Sequence, residues 1–459
     1  MRMPLVGDQV LVPVEGHALQ QYVNLDCAAS TPPSVRVAAA VTEFLPWYAS
    51  VHRGAGAKSQ HSSERYEQAR DTLLRFVGGD PSTHTVIFPR NTTEALNITA
   101  FRLALGPDDV VLTTLAEHHS NLLPWRRYAD LRYVDVAHDG TFTAEEVIAG
   151  LDQKPVPKVL ALTGASNVTG WLPPLAPIVA AARSRGVLVV VDAAQLAPHR
   201  PINMTRLGID VLALSGHKMY APFGTGALIG PRRLFARGQP LLVGGGSVAA
   251  VGLDEVIWAP TPDRDEAGSP NVVGVVALDA AARELTQRGW ASTLHHEGGL
   301  LEELDRALAG VPGLTRYGPV TGQQRLPVAA FNVDGIPHAL LARRLSHEFG
   351  IGVRSGCFCA HPYVMRLLRL TQEQTRQYRT QVRRGHHGLL PGAVRASAGL
   401  GTGGRDIQDL GEALRAIATT PDGNARYRLT ASGEFIPTQP TSHTVIPPLS
   451  PQRDGESPG

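Results

Sequence analysis

G-V-L-V-V-V-D-A-A-Q (Gly186–Gln195) and D-V-L-A-L-S-G-H-K-M-Y-A-P-F-G-T-G-A-L-I-G (Asp210–Gly230) decide the fold of this chain. Each contains a short, uninterrupted apolar run, the pattern of a strand buried on both faces. Each run stops at polar residues: Asp192 and Gln195 after the first, Ser215, His217 and Lys218 after the second. In an open α/β sheet, ligands sit beyond the carboxyl ends of parallel strands. A carboxylate, an amide, a hydroxyl, an imidazole and an amine therefore converge on one sheet edge.

The amine stands out. Of 43 Lys plus Arg residues, four are lysines: Lys58, Lys154, Lys158 and Lys218. Lys218 is the last of them and follows a strand. Arginine keeps its proton and forms no Schiff base with a carbonyl, whereas lysine can lose its proton and form one. Asp192 suits a pyridinium nitrogen, the pairing that recurs in pyridoxal 5'-phosphate (PLP) enzymes. Such a charge-assisted hydrogen bond contributes about 1.5–3 kcal/mol and keeps the ring protonated.

Length and composition set outer bounds. A chain of 459 residues buries a sizeable core and suggests two domains. Its net charge of +2 carries no footprint of nucleic acid or membrane. Three cysteines make no disulfide framework, and the N-terminus lacks an apolar signal core. No run approaches the ~18 apolar residues of a membrane span. The expected compartment is the cytoplasm.

Working outward, strands are expected at His84–Pro89 and Asp109–Leu115, and a strand and loop over Lys158–Gly170, separated by helical stretches such as L-A-P-I-V-A-A-A-R-S-R. This alternation predicts an α/β fold with a mostly parallel sheet. R-N-T-T-E-A-L places Thr92 or Thr93 at a helix N-terminus, a ready phosphate site. Ser62 or Ser63 is expected to cap the helix carrying Tyr66 and Leu73, and a helix over Pro32–Tyr48 to open on prolines. Residues 1–20 read as an irregular arm, 21–275 as a large domain, 276–420 as a smaller α/β domain. Residues 421–459, polar and Pro-rich, read as a mostly disordered tail. The run G-G-G at Gly244–Gly246 lacks the G-K-[ST] of a nucleotide loop.

V-D-A-A-Q and S-G-H-K-M-Y-A-P-F-G-T-G resemble the aminotransferase class V family of PLP enzymes, within it most of all the cysteine desulfurase/selenocysteine lyase branch. Further motifs follow in family order over roughly residues 20–418: Y-V-N-L-D-C-A-A-S, H-R-G, E-H-H-S-N-L-L-P-W, E-A-G-S-P-N and V-R-A-S. The resemblance implies the PLP-dependent transferase fold type I with a seven-stranded sheet. It implies that Lys218 carries the cofactor and that Asp192 holds the pyridine nitrogen. Gln195 contacts the ring oxygen, and Thr92, Thr93, Ser215 and His217 surround the phosphate. His118 covers the ring and shuttles protons, Asn167 lies near ring and substrate, and Arg395 grips the substrate carboxylate. Ser269 is implied to reach the cofactor phosphate of a second subunit, which makes a homodimer with a shared active site.

I-G-V-R-S-G-C-F-C-A-H-P-Y (Ile351–Tyr363) is the second chemical centre. Cys-x-Cys with one histidine lacks the second ligand pair of a zinc site, so no metal is expected. The resemblance puts Cys359 at the persulfide-forming position, with Arg354 placed to favour its thiolate and to border the substrate. The implied reaction removes sulfur from L-cysteine, leaves L-alanine and passes the sulfur on, with a protein among the acceptors the resemblance allows. Two departures stand against it. The branch has histidines where this chain has Cys357 and Phe358, and G-C-F-C is more similar to the PLP domain of molybdenum cofactor sulfurases. Cys359 and Arg395 are also 36 positions apart, longer than the family's connection, through an Arg-rich helical stretch around 366–387. Two competing readings are another class V reaction (aminotransferase, epimerase or C–S lyase) and a non-catalytic protein that keeps the fold.

Overall fold

The computed structural model describes residues 2–320, 324–384, 390–430 and 433–438. The main sheet has seven strands: β1 (His84–Ile87), β2 (Val110–Thr114), β3 (Asp130–Val134), β4 (Val159–Thr163), β5 (Leu188–Asp192), β6 (Val211–Ser215) and β7 (Gly226–Pro231). Their spatial order is β1-β7-β6-β5-β4-β2-β3. The pairs β2–β3, β2–β4, β4–β5 and β5–β6 are parallel, while β7 runs antiparallel to β6 and β1. The loop from β6 to β7 is too short for a parallel crossover, which takes a dozen or more residues.

The sheet is covered on both faces, which is why its strands read as continuous apolar runs. Leu160, Leu162, Val189, Val191, Leu212 and Leu214 enter one core. The alternating Val159, Ala161, Val190, Val211 and Ala213 enter the core on the other face, with Trp125 and Phe235. The carboxyl ends of β1, β2, β4, β5 and β6 therefore share one edge, and the motif residues follow directly from them.

Two helices, Val272–Arg288 and Trp290–Ala309, lead to a second, antiparallel sheet. It comprises β8 (Leu314–Tyr317), β9 (Val328–Val333), β10 (Arg354–Gly356) and β11 (Ala393–Ser397), in the order β8-β9-β11-β10. Leu304, Leu341, Leu345, Leu410 and Leu414 pack on it around Phe331 and Val394. The helix His338–Phe349 ends at Gly350, whose φ of 65° is the left-handed conformation glycine adopts at a helix C-terminus. The register sets Arg354 of β10 directly opposite Arg395 of β11.

Several expectations are corrected. The N-terminal arm is not irregular: Leu11–Val14 and His17–Gln21 pair as a hairpin, and Met3 and Leu5 are buried. The helix expected to start at Ser62 or Ser63 spans Ala57–Val77, so both serines lie inside it. Ser34 caps the helix Val35–Phe44, and the prolines precede the cap. The start of the tail is ordered: Tyr427–Leu429 pairs with Phe435–Pro437, and the buried Tyr427 donates to Glu348 (2.9 Å). Residues 439–459 of the expected disordered tail lie outside the described residues, as do 385–389 of the Arg-rich stretch. Among the described residues no helix is long and apolar enough to cross a membrane.

One buried ion pair anchors the loop that carries Ser269. Glu266 accepts from Arg70 (2.8 and 2.9 Å), Tyr66 (2.8 Å) and the Phe88 backbone (2.7 Å). Glu266→Ala would leave the buried Arg70 charge with the half-exposed Glu67 as its remaining carboxylate partner. Its expected cost is about 3–5 kcal/mol, the range for breaking a buried pair by removing one partner. Urea unfolding followed by tryptophan fluorescence checks this.

Candidate active site

A cavity of ≈ 320 Å³ opens at the carboxyl ends of the strands. It brings together Thr92, Thr93, His118, Asn167, Asp192, Gln195, Ser215, His217, Lys218, Arg354, Cys359 and Arg395. Residues from both sheets and from widely separated motifs thus meet around Lys218.

One end is built on the N-terminus of the helix Thr92–Arg102. The cap is Asn91, not a threonine: its Oδ1 accepts from the Glu94 backbone (3.0 Å). Both threonine hydroxyls are thereby left for other partners. Thr92 donates its backbone N–H to Ser215 Oγ (2.8 Å), and Thr93 Oγ1 meets Ser120 Oγ (2.7 Å). His217 stacks on Phe223 (4.9 Å between centroids), and its Nδ1 is buried without a partner among the described residues. Burial, then the Lys218 charge, pushes its pKa down to about 4. Hydroxyls, a helix N-terminus and an orphaned ring nitrogen make an anion-binding end.

At the other end, burial raises the pKa of Asp192 and lowers that of Lys218. The charge of each partner opposes the burial effect on the other. Asp192 Oδ1 accepts from the Ala194 backbone (3.0 Å), which fixes the carboxylate. Gln195 is oriented by donating its amide to Ala28 O (2.6 Å).

His118 sits between these ends. Its Nδ1 accepts from the Ser120 backbone N–H (3.1 Å), so a neutral ring carries its proton on Nε2. Burial and the positive charge of Lys218 push its pKa down to about 3, which keeps it neutral.

On the substrate side, Arg395 is 2 % exposed. It donates to Asn167 O (2.8 Å) and to Asp26 Oδ1 (3.0 Å), and stacks on Phe358 (5.0 Å). Arg354, half exposed, takes the other Asp26 oxygen (2.8 Å). Asn167 donates to Phe358 O (2.8 Å), tying the cysteine loop to the main sheet.

Cys359 is exposed at the mouth. Phe358 and Cys359 both have left-handed backbones, with φ of 52° and 54°. Such positions cost about 1–3 kcal/mol each and cluster at active sites. The turn is secured by His119, whose N–H donates to Cys359 O (2.7 Å) and whose Nε2 accepts from the His361 N–H (3.1 Å). Cys357 lines a different cavity.

The sequence models of known families agree with this geometry. The model of the aminotransferase class-V family matches residues 23–410. The chain belongs to that family. Class-V relatives include a probable cysteine desulfurase of Mycobacterium leprae, 35% identical over 74% of this chain and 84% of its own. A cysteine desulfurase of Klebsiella pneumoniae is 37% identical over 76% and 86%. Among solved structures, an apo cysteine desulfurase from Thermococcus onnurineus superposes with a TM-score of 0.77 at 28% identity, over 87% of this chain and 95% of that one. A cysteine desulfurase of Escherichia coli gives 0.73 at 31%, over 86% and 94%.

Members of the class-V family use PLP, and the residues present fit it: an anion-binding end, a fixed carboxylate at the opposite end and an amine lining the same cavity. Ser269 is not part of this cavity within one chain. It lines a separate one of ≈ 610 Å³ beside His52, Arg53 and Gly245. Three neighbours escaped sequence reasoning. Asp26 joins Arg354 to Arg395, and Ser120 joins Thr93 to His118. Glu117 is fully buried, bonded to Thr114 and Asn121, and burial pushes its pKa up to about 8. All three lie inside quoted motifs, and an acid beside a strand end was the available signal.

Proposed function

We propose that this protein is a PLP-dependent cysteine desulfurase that takes sulfur from L-cysteine, releases L-alanine and carries the sulfur as a persulfide on Cys359. The observation that carries this reading is that Cys359 and Lys218 line one cavity, with the buried Arg395 in its wall. The names of the relatives support the same substrate. PLP, when bound, withdraws electrons from the substrate's Cα. Arg395 presents a planar fork for the α-carboxylate, held in place by Asp26 and Asn167. Lys218 Nζ moves the Cα proton, and neutral His118 holds a proton at Nε2 for transfer. Cys359 Sγ takes the substrate sulfur: the Cβ–S bond breaks, an S–S bond forms, and the carbon keeps the electron pair and is protonated. The sum is L-cysteine plus thiol giving L-alanine plus persulfide.

The reading includes a homodimer in which Ser269 of the partner subunit completes the phosphate end. That residue sits on an anchored loop away from its own chain's Lys218, which suits a role across an interface. A protein acceptor for the sulfur belongs to the same reading. The test is purified enzyme with PLP and L-cysteine, scored for alanine and sulfide. Equimolar alanine and sulfide in the presence of a thiol is the expected result. Keto-acid-dependent amino transfer without sulfide would defeat it in favour of an aminotransferase.

A further inference from the structure

Cys357 has no role in the chemistry above, yet its surroundings are those of a second site. It lines a cavity of ≈ 400 Å³ on the other side of the loop from Lys218, together with His338, His361, Tyr378 and Pro391. Its Sγ donates to Pro391 O (3.3 Å). His338 Nε2 donates to the adjacent carbonyl, Leu390 O (2.9 Å). A carbonyl only accepts, so the proton of a neutral His338 is on Nε2 and its Nδ1 keeps a bare lone pair. That Nδ1 is buried and without a partner among the described residues. Burial lowers the pKa of His338, which keeps the ring neutral.

His361 is fixed in a similar way. Its backbone N–H and its Nδ1 both meet His119 Nε2 (3.1 Å each). The backbone group can only donate, so His119 Nε2 is an acceptor and the proton of His361 sits on Nδ1, leaving the lone pair on Nε2. The ring is held by stacking between His119 (4.9 Å) and Tyr378 (6.1 Å). A thiol and two neutral imidazoles therefore line one half-open cavity.

We propose that Cys357 is a second sulfur station, taking the sulfane sulfur from Cys359 and passing it to a small thiol bound in this cavity. The proposal rests on the desulfurase reading. The two cysteines are separated by one residue, so their Cα atoms are within about 7 Å. A persulfide lengthens the Cys359 arm by about 2 Å. Burial pushes the Cys357 pKa up to about 11, so at rest it is a thiol and does not compete for the substrate's sulfur. A deprotonated thiol of high pKa is the stronger nucleophile. Cys357, which is partly exposed, loses its proton to solvent, and the thiolate attacks the outer sulfur of the Cys359 persulfide. A new S–S bond forms at Cys357, the bond to Cys359 breaks, and Cys359 leaves as a thiolate. A small thiol then takes the outer sulfur by the same exchange, which restores Cys357. The sulfane sulfur keeps its oxidation level throughout, so no oxidant or reductant is consumed.

The test uses the PLP-loaded enzyme, pulsed with L-cysteine, alkylated and mapped by tandem mass spectrometry. Sulfane sulfur is expected first on Cys359 and then on Cys357. With mercaptoethanol as the probe thiol, Cys357→Ser accumulates sulfur on Cys359 and releases sulfide about tenfold more slowly, because intramolecular transfer is lost. Alanine formed with sulfur confined to Cys359 in the unmodified enzyme, or wild-type sulfide release by Cys357→Ser, would overturn the relay and leave the desulfurase reading standing. Absence of alanine from the unmodified enzyme would defeat both.

Discussion

Lys218→Arg is expected to lower turnover of L-cysteine about 10⁴-fold, the upper end of what a positioned acid–base group contributes. The substitution keeps the positive charge that faces Asp192, so the buried carboxylate retains a counter-charge and the fold has no reason to fail. What it removes is a nitrogen able to exist without its proton. Lys218 is prepared for that state: burial is the chief cause lowering its pKa from the ordinary lysine value, and Arg395 adds to it. Asp192 and Cys359 pull the other way without reversing the direction. A lowered pKa means that the neutral amine is already populated below the usual lysine range. Activity that depends on this amine rises with pH as the proton is lost. Arginine stays protonated at every accessible pH. Raising the pH is therefore expected to restore nothing in Lys218→Arg, whereas a variant that only disturbs packing would keep a rising limb. The pH profile of kcat/KM in both proteins is the measurement, and a parallel rise in the two would sink the role given to Lys218.

The sequence was most readable where burial is complete. The runs around Val187–Asp192 and Val211–Ser215 lack alternation because both faces of β5 and β6 are covered, and the lysine after β6 follows from that. The sequence places Thr92 and Thr93 at a helix N-terminus but leaves the cap open, because asparagine and threonine compete for the same role and only the bond to Glu94 decides between them. The hairpins at both termini were missed for another reason. They are short, and their order depends on docking: Met3 donates to Leu400 O, and Tyr427 reaches Glu348. Composition contains no trace of such partners. Asp26 escaped in the same way, since its meaning comes from the register that sets Arg354 opposite Arg395.

Cys359→Ala is expected to lower alanine production from L-cysteine at least about 10³-fold, as removing a nucleophile typically does. The residue sits at a left-handed backbone position that any side chain with a Cβ strains equally, so alanine adds no new backbone cost. Its anchoring bond, from the His119 N–H, is to the backbone carbonyl and survives the change. The loop therefore keeps its shape, and Lys218, Asp192 and the phosphate end are untouched. Cofactor uptake, read from the visible absorption band, is expected to match the unmodified enzyme. The loss falls on kcat, because Arg395 still binds the substrate carboxylate. Cys357 does not rescue the variant, since its thiol lines the other cavity and is bonded to Pro391. Cys359→Ser behaves the same way, because a hydroxyl offers no thiolate to attack the substrate sulfur. Full retention of sulfide and alanine formation in Cys359→Ala would place the protein instead among class-V enzymes that cleave or rearrange amino acids without carrying sulfur on the chain.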